Sequence, residues 1–103
     1  MISVAVAKAH CRVLHAREDD LIQEYIDAAI TRFENDTERK LYEDQAALEQ
    51  DIDAPEFTAV LNGAITAGIL LFVGHLYTNR DMNAAEPPAI ERLWQPYKVY
   101  RIA

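Results

Sequence analysis

The constraint that most limits this chain is its apolar centre. Residues 67–74, AGILLFVG, form an unbroken apolar run, and no proline occurs between Pro55 and Pro87. A membrane span needs roughly 20 predominantly apolar residues. Upstream the run meets Thr66, Asn62 and Thr58, and downstream it meets His75 at once. The spacing instead predicts a helix over residues 56–79, about 36 Å long at 1.5 Å per residue. Ile65, Ile69, Phe72 and Leu76 follow one stripe, while Leu61, Leu70, Val73 and Tyr77 occupy other sides. A helix apolar on most sides is buried on most sides. In a chain of 103 residues, neighbouring subunits are the expected source of part of that cover.

The rest of the chain reads as helical. Ser3 is placed to cap a short helix through Ala9, and residues 12–17 read as a link. Acids at 18–20 announce a second helix over residues 19–36, with an apolar stripe at 22, 26, 29, 30 and 33. Residues 41–50 suit another short helix, which the run DIDAP at 51–55 interrupts. A last helix over residues 89–94 ends at Pro96. Residues 97–102, YKVYRI, alternate like a strand and lack an obvious strand to pair with. The expected fold is one all-α domain over residues 1–103: a small bundle of about four helices, one long and very apolar, with an extended C-terminal tail.

The formal charge is −7 and unevenly placed: residues 18–56 hold 14 of the 17 acids and three bases. Such a chain lacks the basic stripe of a sequence-reading nucleic-acid binder. Its acidic segment suits a solvated face, a surface that repels phosphate, or a basic partner. Cys11 is the only cysteine, so an intrachain disulfide is excluded and the chain reads as intracellular. The N-terminus has neither the basic start nor the longer apolar stretch of a signal peptide.

Chemistry-bearing residues are present without a site. His75 has Leu71, Phe72, Thr78 and Asn79 as its helical neighbours, none of them an acid able to orient it. His10, Cys11, His15 and His75 lack zinc-ligand spacing, and Asp19-Asp20 and Asp51-x-Asp53 do not complete a calcium loop. Phosphate-loop and nucleophile-elbow motifs are absent. The reading is therefore non-enzymatic, without metal or cofactor. His10, His75 and an acid would have to converge in a pocket to overturn it.

Four stretches together resemble a known family. They are ISVAVAKAHCRV at 2–13, EDDLIQEYIDAAITRFE at 18–34, LLFVGHLYTNRD at 70–81, and IERLWQPYKVYRI at 90–102, with Leu93, Pro96, Tyr97 and Lys98 in its closing pattern. In order and spacing they resemble the small head–tail connector, or adaptor, proteins of tailed double-stranded DNA phages, siphophage type. The middle segment, residues 40–57, departs from members that carry a longer insert. The resemblance implies a helical structural protein of a phage, prophage or gene-transfer particle. It would assemble in the host cytoplasm and reside at the virion's head–tail junction. It also implies a ring of about twelve copies between the portal and the next head-completion or tail-attachment protein. That ring would extend a channel through which DNA passes without sequence-specific binding.

On this reading, Leu70, Phe72, Val73, Leu76, Tyr77 and Arg80, with Trp94, Tyr97, Tyr100 and Arg101 of the aromatic C-terminal segment, are expected at subunit or partner interfaces. For Trp94 and Tyr97, covering the helices of their own subunit is the equally weighted alternative. Glu38, Glu43, Asp44 and Glu49 are candidates to face the channel. Two other readings compete: a dimeric helical scaffold or protein-binding module, and a DNA-packaging accessory protein.

Overall fold

Helix α2 is the frame on which the rest of the subunit is laid. In the computed structural model, which describes residues 2–11, 19–78 and 85–99, it runs over Asp19–Thr37. The stripe read from the sequence is its buried face: Ile22, Ile26, Ala29 and Phe33 are at most 1% exposed. Asp19 and Asp20 occupy its first turn, where negative charge suits the helix dipole. At its other end Thr37 is fully buried. Its hydroxyl donates to the Phe33 carbonyl at 2.7 Å, and Glu38 turns the chain out of the helix at φ 59°.

Before α2 comes α1, Val4–Cys11, where the Ser3 hydroxyl accepts from the Val6 amide at 3.1 Å as the cap spacing implies. After α2 the chain departs from the all-helical expectation. Strand β1, Lys40–Tyr42, pairs in parallel with β2, Thr58–Val60, in the register Lys40↔Thr58, Leu41↔Ala59 and Tyr42↔Val60. Parallel strands need a crossover of a dozen or more residues, and residues 43–57 supply it with the short helix α3, Gln45–Gln50. The helix expected over 41–50 thus begins only after Leu41 and Tyr42 have entered the sheet. Asp44 restarts helical geometry by accepting from the Ala47 amide at 2.7 Å. On the outer edge of β1 the Leu41 amide donates to the Glu34 carboxylate at 2.9 Å.

The central apolar helix, α4, spans Gly63–Thr78, 16 residues. It is shorter than the expected 56–79 because Thr58–Val60 is spent in the sheet and Asn62 sets a new start. The Asn62 side chain accepts from the Ile65 amide at 3.0 Å. Helix α5, Pro88–Trp94, follows and passes into a 3-10 turn, Gln95–Tyr97, with Pro96 in its first turn. The strand expected at 97–102 is therefore a turn at Tyr97. Lys98 is extended, Val99 has no strand assignment, and residues 100–102 lie outside the described set. Among the described residues, five α-helices and one small sheet stand where a bundle of about four helices was expected. Among the described residues, no helix is long and apolar enough to cross a membrane.

The connections give the subunit two distinct ends. The sheet follows the end of α2 and precedes the start of α4. At the other end, Lys8 of α1 pairs with Asp19 at the start of α2 at 2.9 Å, and His10 lies against Gly74 near the end of α4. The 19 residues of α2 separate these ends by about 28 Å.

Candidate subunit interface

The aromatic C-terminal segment is fastened to its own subunit. Trp94 is 1% exposed and lies across α4 at Gly68. A methyl group there would overlap the indole, coming within 2.8 Å of Cε2. Glycine is required for that close approach. The indole N–H points to the Ile65 carbonyl at 3.5 Å, and Phe33 meets the indole edge-on with ring centres 5.3 Å apart. Tyr97 extends the cluster, its ring 6.1 Å from Phe33 and its hydroxyl accepting from the Asn62 amide group at 2.7 Å.

Arg39 completes the fastening. Its Nε donates to the Tyr97 carbonyl at 2.6 Å and its Nη1 to the Thr58 carbonyl at 3.1 Å. Its guanidinium also lies over Phe57, 5.9 Å from the ring centre. The Val99 amide donates to the Thr37 carbonyl at 3.2 Å. Neither Arg39 nor Asn62 stands out in the sequence, since their partners are tens of residues away.

The remaining interface candidates divide by position. Val73 is fully buried and Phe72 is 8% exposed, with the Arg32 guanidinium 5.6 Å from the Phe72 ring centre. Leu70, Leu76 and Tyr77 are half-buried at the margin of the core. Arg80, Tyr100 and Arg101 lie outside the described residues. Arg32 itself grips Glu86, just before α5, through two bonds of 2.6 and 2.9 Å, and Asp36 at 2.8 Å. The hydrogen bond from Glu86 is the main cause holding the Arg32 pKa above its ordinary value.

The four candidate channel acids, Glu38, Glu43, Asp44 and Glu49, are all exposed and share the end of the subunit that carries the sheet. The crossover there is held by polar contacts: Asp51 accepts from Lys40 at 3.0 Å and from the Tyr42 hydroxyl. The Tyr42 bond, then Lys40, then the Asp53 amide hold the Asp51 carboxyl below its ordinary value. Helix α3 buries no residue.

At the opposite end, folding brings His10 and Cys11 of α1 beside Leu71, Gly74, His75 and Thr78 of α4 and Pro87. They line an open groove of about 360 Å³. This convergence was invisible in the sequence. Among the described residues no acid lines the groove and no group of metal-holding residues occurs; burial pushes the Cys11 thiol up from its ordinary value.

The family described as "Phage gp6-like head-tail connector protein" matches residues 1–87. The chain belongs to that family. No curated protein and no solved structure matches the chain. The connector is accordingly a structural protein of the phage virion at the head–tail junction, and not an enzyme. The match spans α1 to α4 and stops before α5, so the connector's aromatic C-terminal fastening lies beyond it.

Two exposed apolar residues of the connector went unremarked in the sequence. Val6 on α1 is 50% exposed, and Ile52, in the turn after α3, is 94% exposed. Sequence offers one signal for Ile52: it is a lone large apolar residue between two aspartates.

Proposed function

We propose that the connector forms a ring of about twelve subunits between the portal and the next head-completion or tail-attachment protein. The ring extends the DNA channel and joins head to tail. The observation that carries this reading is the difference between the subunit's two ends: an acidic crossover projecting at one, an open groove between α1 and α4 at the other. A ring closes through a heterologous contact, in which each subunit offers two different surfaces. A symmetric dimer needs only one. Leu70, Leu76 and Tyr77, at the margin of the core, add apolar area to the subunit contacts.

The exposed acids Glu38, Glu43, Asp44 and Glu49 face the channel in this reading. Their charge keeps phosphate from binding tightly, so DNA slides without being retained.

The test is head-to-tail joining in vitro. DNA-filled heads assembled without this chain are mixed with tails, with and without the purified connector. Tailed particles are expected only when it is added. Equal joining in its absence contradicts the proposal.

A further inference from the structure

One line of bonds joins the acidic crossover to the aromatic C-terminal segment. It starts at Asp51, whose carboxylate accepts from Lys40 Nζ at 3.0 Å and from the Tyr42 hydroxyl. These two donors are the first and last residues of β1. The Lys40 amide donates to the Phe57 carbonyl at 3.1 Å, and the Leu61 amide donates to the Tyr42 carbonyl at 2.8 Å, so β1 passes the tie on to β2. Two paired strands of three residues each are marginal by themselves. The crossover has little else to hold it, since α3 buries no residue and Ile52 is 94% exposed.

The C-terminal segment also grips β2, and its grips meet at Tyr97. Arg39 Nη1 donates to the carbonyl of Thr58, the first residue of β2, while Arg39 Nε donates to the Tyr97 carbonyl. Asn62, just past the end of β2, donates to the Tyr97 hydroxyl at 2.7 Å and starts α4 by accepting from the Ile65 amide. Two residues beyond Tyr97, the Val99 amide donates to the Thr37 carbonyl at 3.2 Å. Thr37 and Arg39 flank Glu38, where the chain turns from α2 toward β1 at φ 59°. The segment is thus clasped to both ends of β2 and to the turn that feeds β1.

Lifting Tyr97 takes a carbonyl partner from the half-buried Arg39 and the hydroxyl partner from Asn62 in one movement. Loosening β2 disturbs the same bonds from the other side. Coupling carried by such a contiguous network acts equally in both directions.

We infer that the C-terminal segment is a strap that sets the crossover, with Arg39 as the residue that couples them. While Tyr97 is clasped, β2 and the crossover keep one arrangement; when Tyr97 lifts, they loosen together. The consequence for the virion rests on the ring reading, which places the crossover acids in the channel. There, a neighbour that engages the C-terminal segment adjusts the channel wall through Arg39.

Residue-resolved amide exchange of the full chain tests the strap, with the Ile26 and Ala29 amides of α2 as the reference for global opening. Asp51→Ala, a change in the crossover, should speed exchange of the Val99 amide about fivefold or more beyond that reference. Tyr97→Phe, which removes the hydroxyl that Asn62 reaches, should in turn speed exchange of the Lys40 and Leu61 amides. In an Arg39→Lys background, where an ammonium replaces the guanidinium fork, Asp51→Ala should leave Val99 exchange unchanged. Val99 exchange that ignores Asp51→Ala, or that moves only with the α2 reference, overturns the inference. An equal response in the Arg39→Lys background overturns Arg39 as the route. The mass of the parent assembly, alone and with its portal, is recorded in parallel. Absence of rings overturns the ring reading alone, because the exchange result decides the strap by itself.

Discussion

The aromatic fastening and the acidic crossover are held by different physics. Around Gly68, the indole of Trp94, the ring of Phe33 and the backbone of α4 fill one another's space, with Arg39 and Asn62 closing the polar ends. The crossover buries Leu41, Tyr42 and Ala59 at its base, but α3 buries nothing, and its turns depend on Asp44 and Asp51. Stability is therefore concentrated in the half that contacts itself. The other half presents its charges and Ile52 outward.

The largest break in that contrast is at Trp94. Trp94→Ala should cost about 3–5 kcal/mol in denaturant unfolding, through lost burial and the cavity it leaves. Gly68→Ala should act on the same lock from the opposite side, costing about 1–3 kcal/mol or more as the indole is displaced. The two losses should not add, because they disrupt one contact. Arg39→Ala comes next, at about 2 kcal/mol, since two backbone carbonyls lose a charged donor. Hydrogen exchange should show the loss at residues 97–99 and at β2.

The crossover acids should behave differently. Changing Glu38, Glu43 and Glu49 to Gln and Asp44 to Asn should each alter stability by less than about 0.5 kcal/mol, as expected of exposed sites. Together the four changes should increase DNA retention by the assembled ring at low salt. Unchanged retention would remove these acids from the channel.

The smallest effect concerns pH. The Asp51 carboxyl is held below its ordinary value in the folded protein, so the unfolded chain binds its proton first as pH falls. Its contribution is complete above the ordinary value of 3.8 and is lost as pH drops through the lower folded value. Asp51→Asn should flatten the acid limb of the stability profile in that window and leave the profile above it parallel to the parent. An unchanged acid limb would show that the Lys40–Asp51–Tyr42 contacts are not linked to folding.

Sequence revealed what depends on local pattern. The α2 stripe, the Ser3 cap and the concentration of acids were all legible from spacing and composition. The sheet was not, because KLY and TAV are each too short to show alternation and acquire meaning only by pairing across residues 43–57. The start of α4 was misplaced because residues 58–60 belong to the sheet, although Asn62, a preferred capping residue that accepts from the Ile65 amide three residues on, was a local signal for it. Trp94 read as docking and as covering with equal force. The groove was hidden because His10 and His75 meet only when α1 packs on α4. Ile52 was hidden because exposure is a property of the turn that carries it.

Native mass spectrometry of the purified protein, alone and with its portal, tests the central claim most directly. The account predicts about twelve copies, either as a free ring or added to the portal. A monomer that joins the portal in that number agrees equally well. A dimer of fixed size that ignores the portal would contradict the account and favour a helical scaffold module.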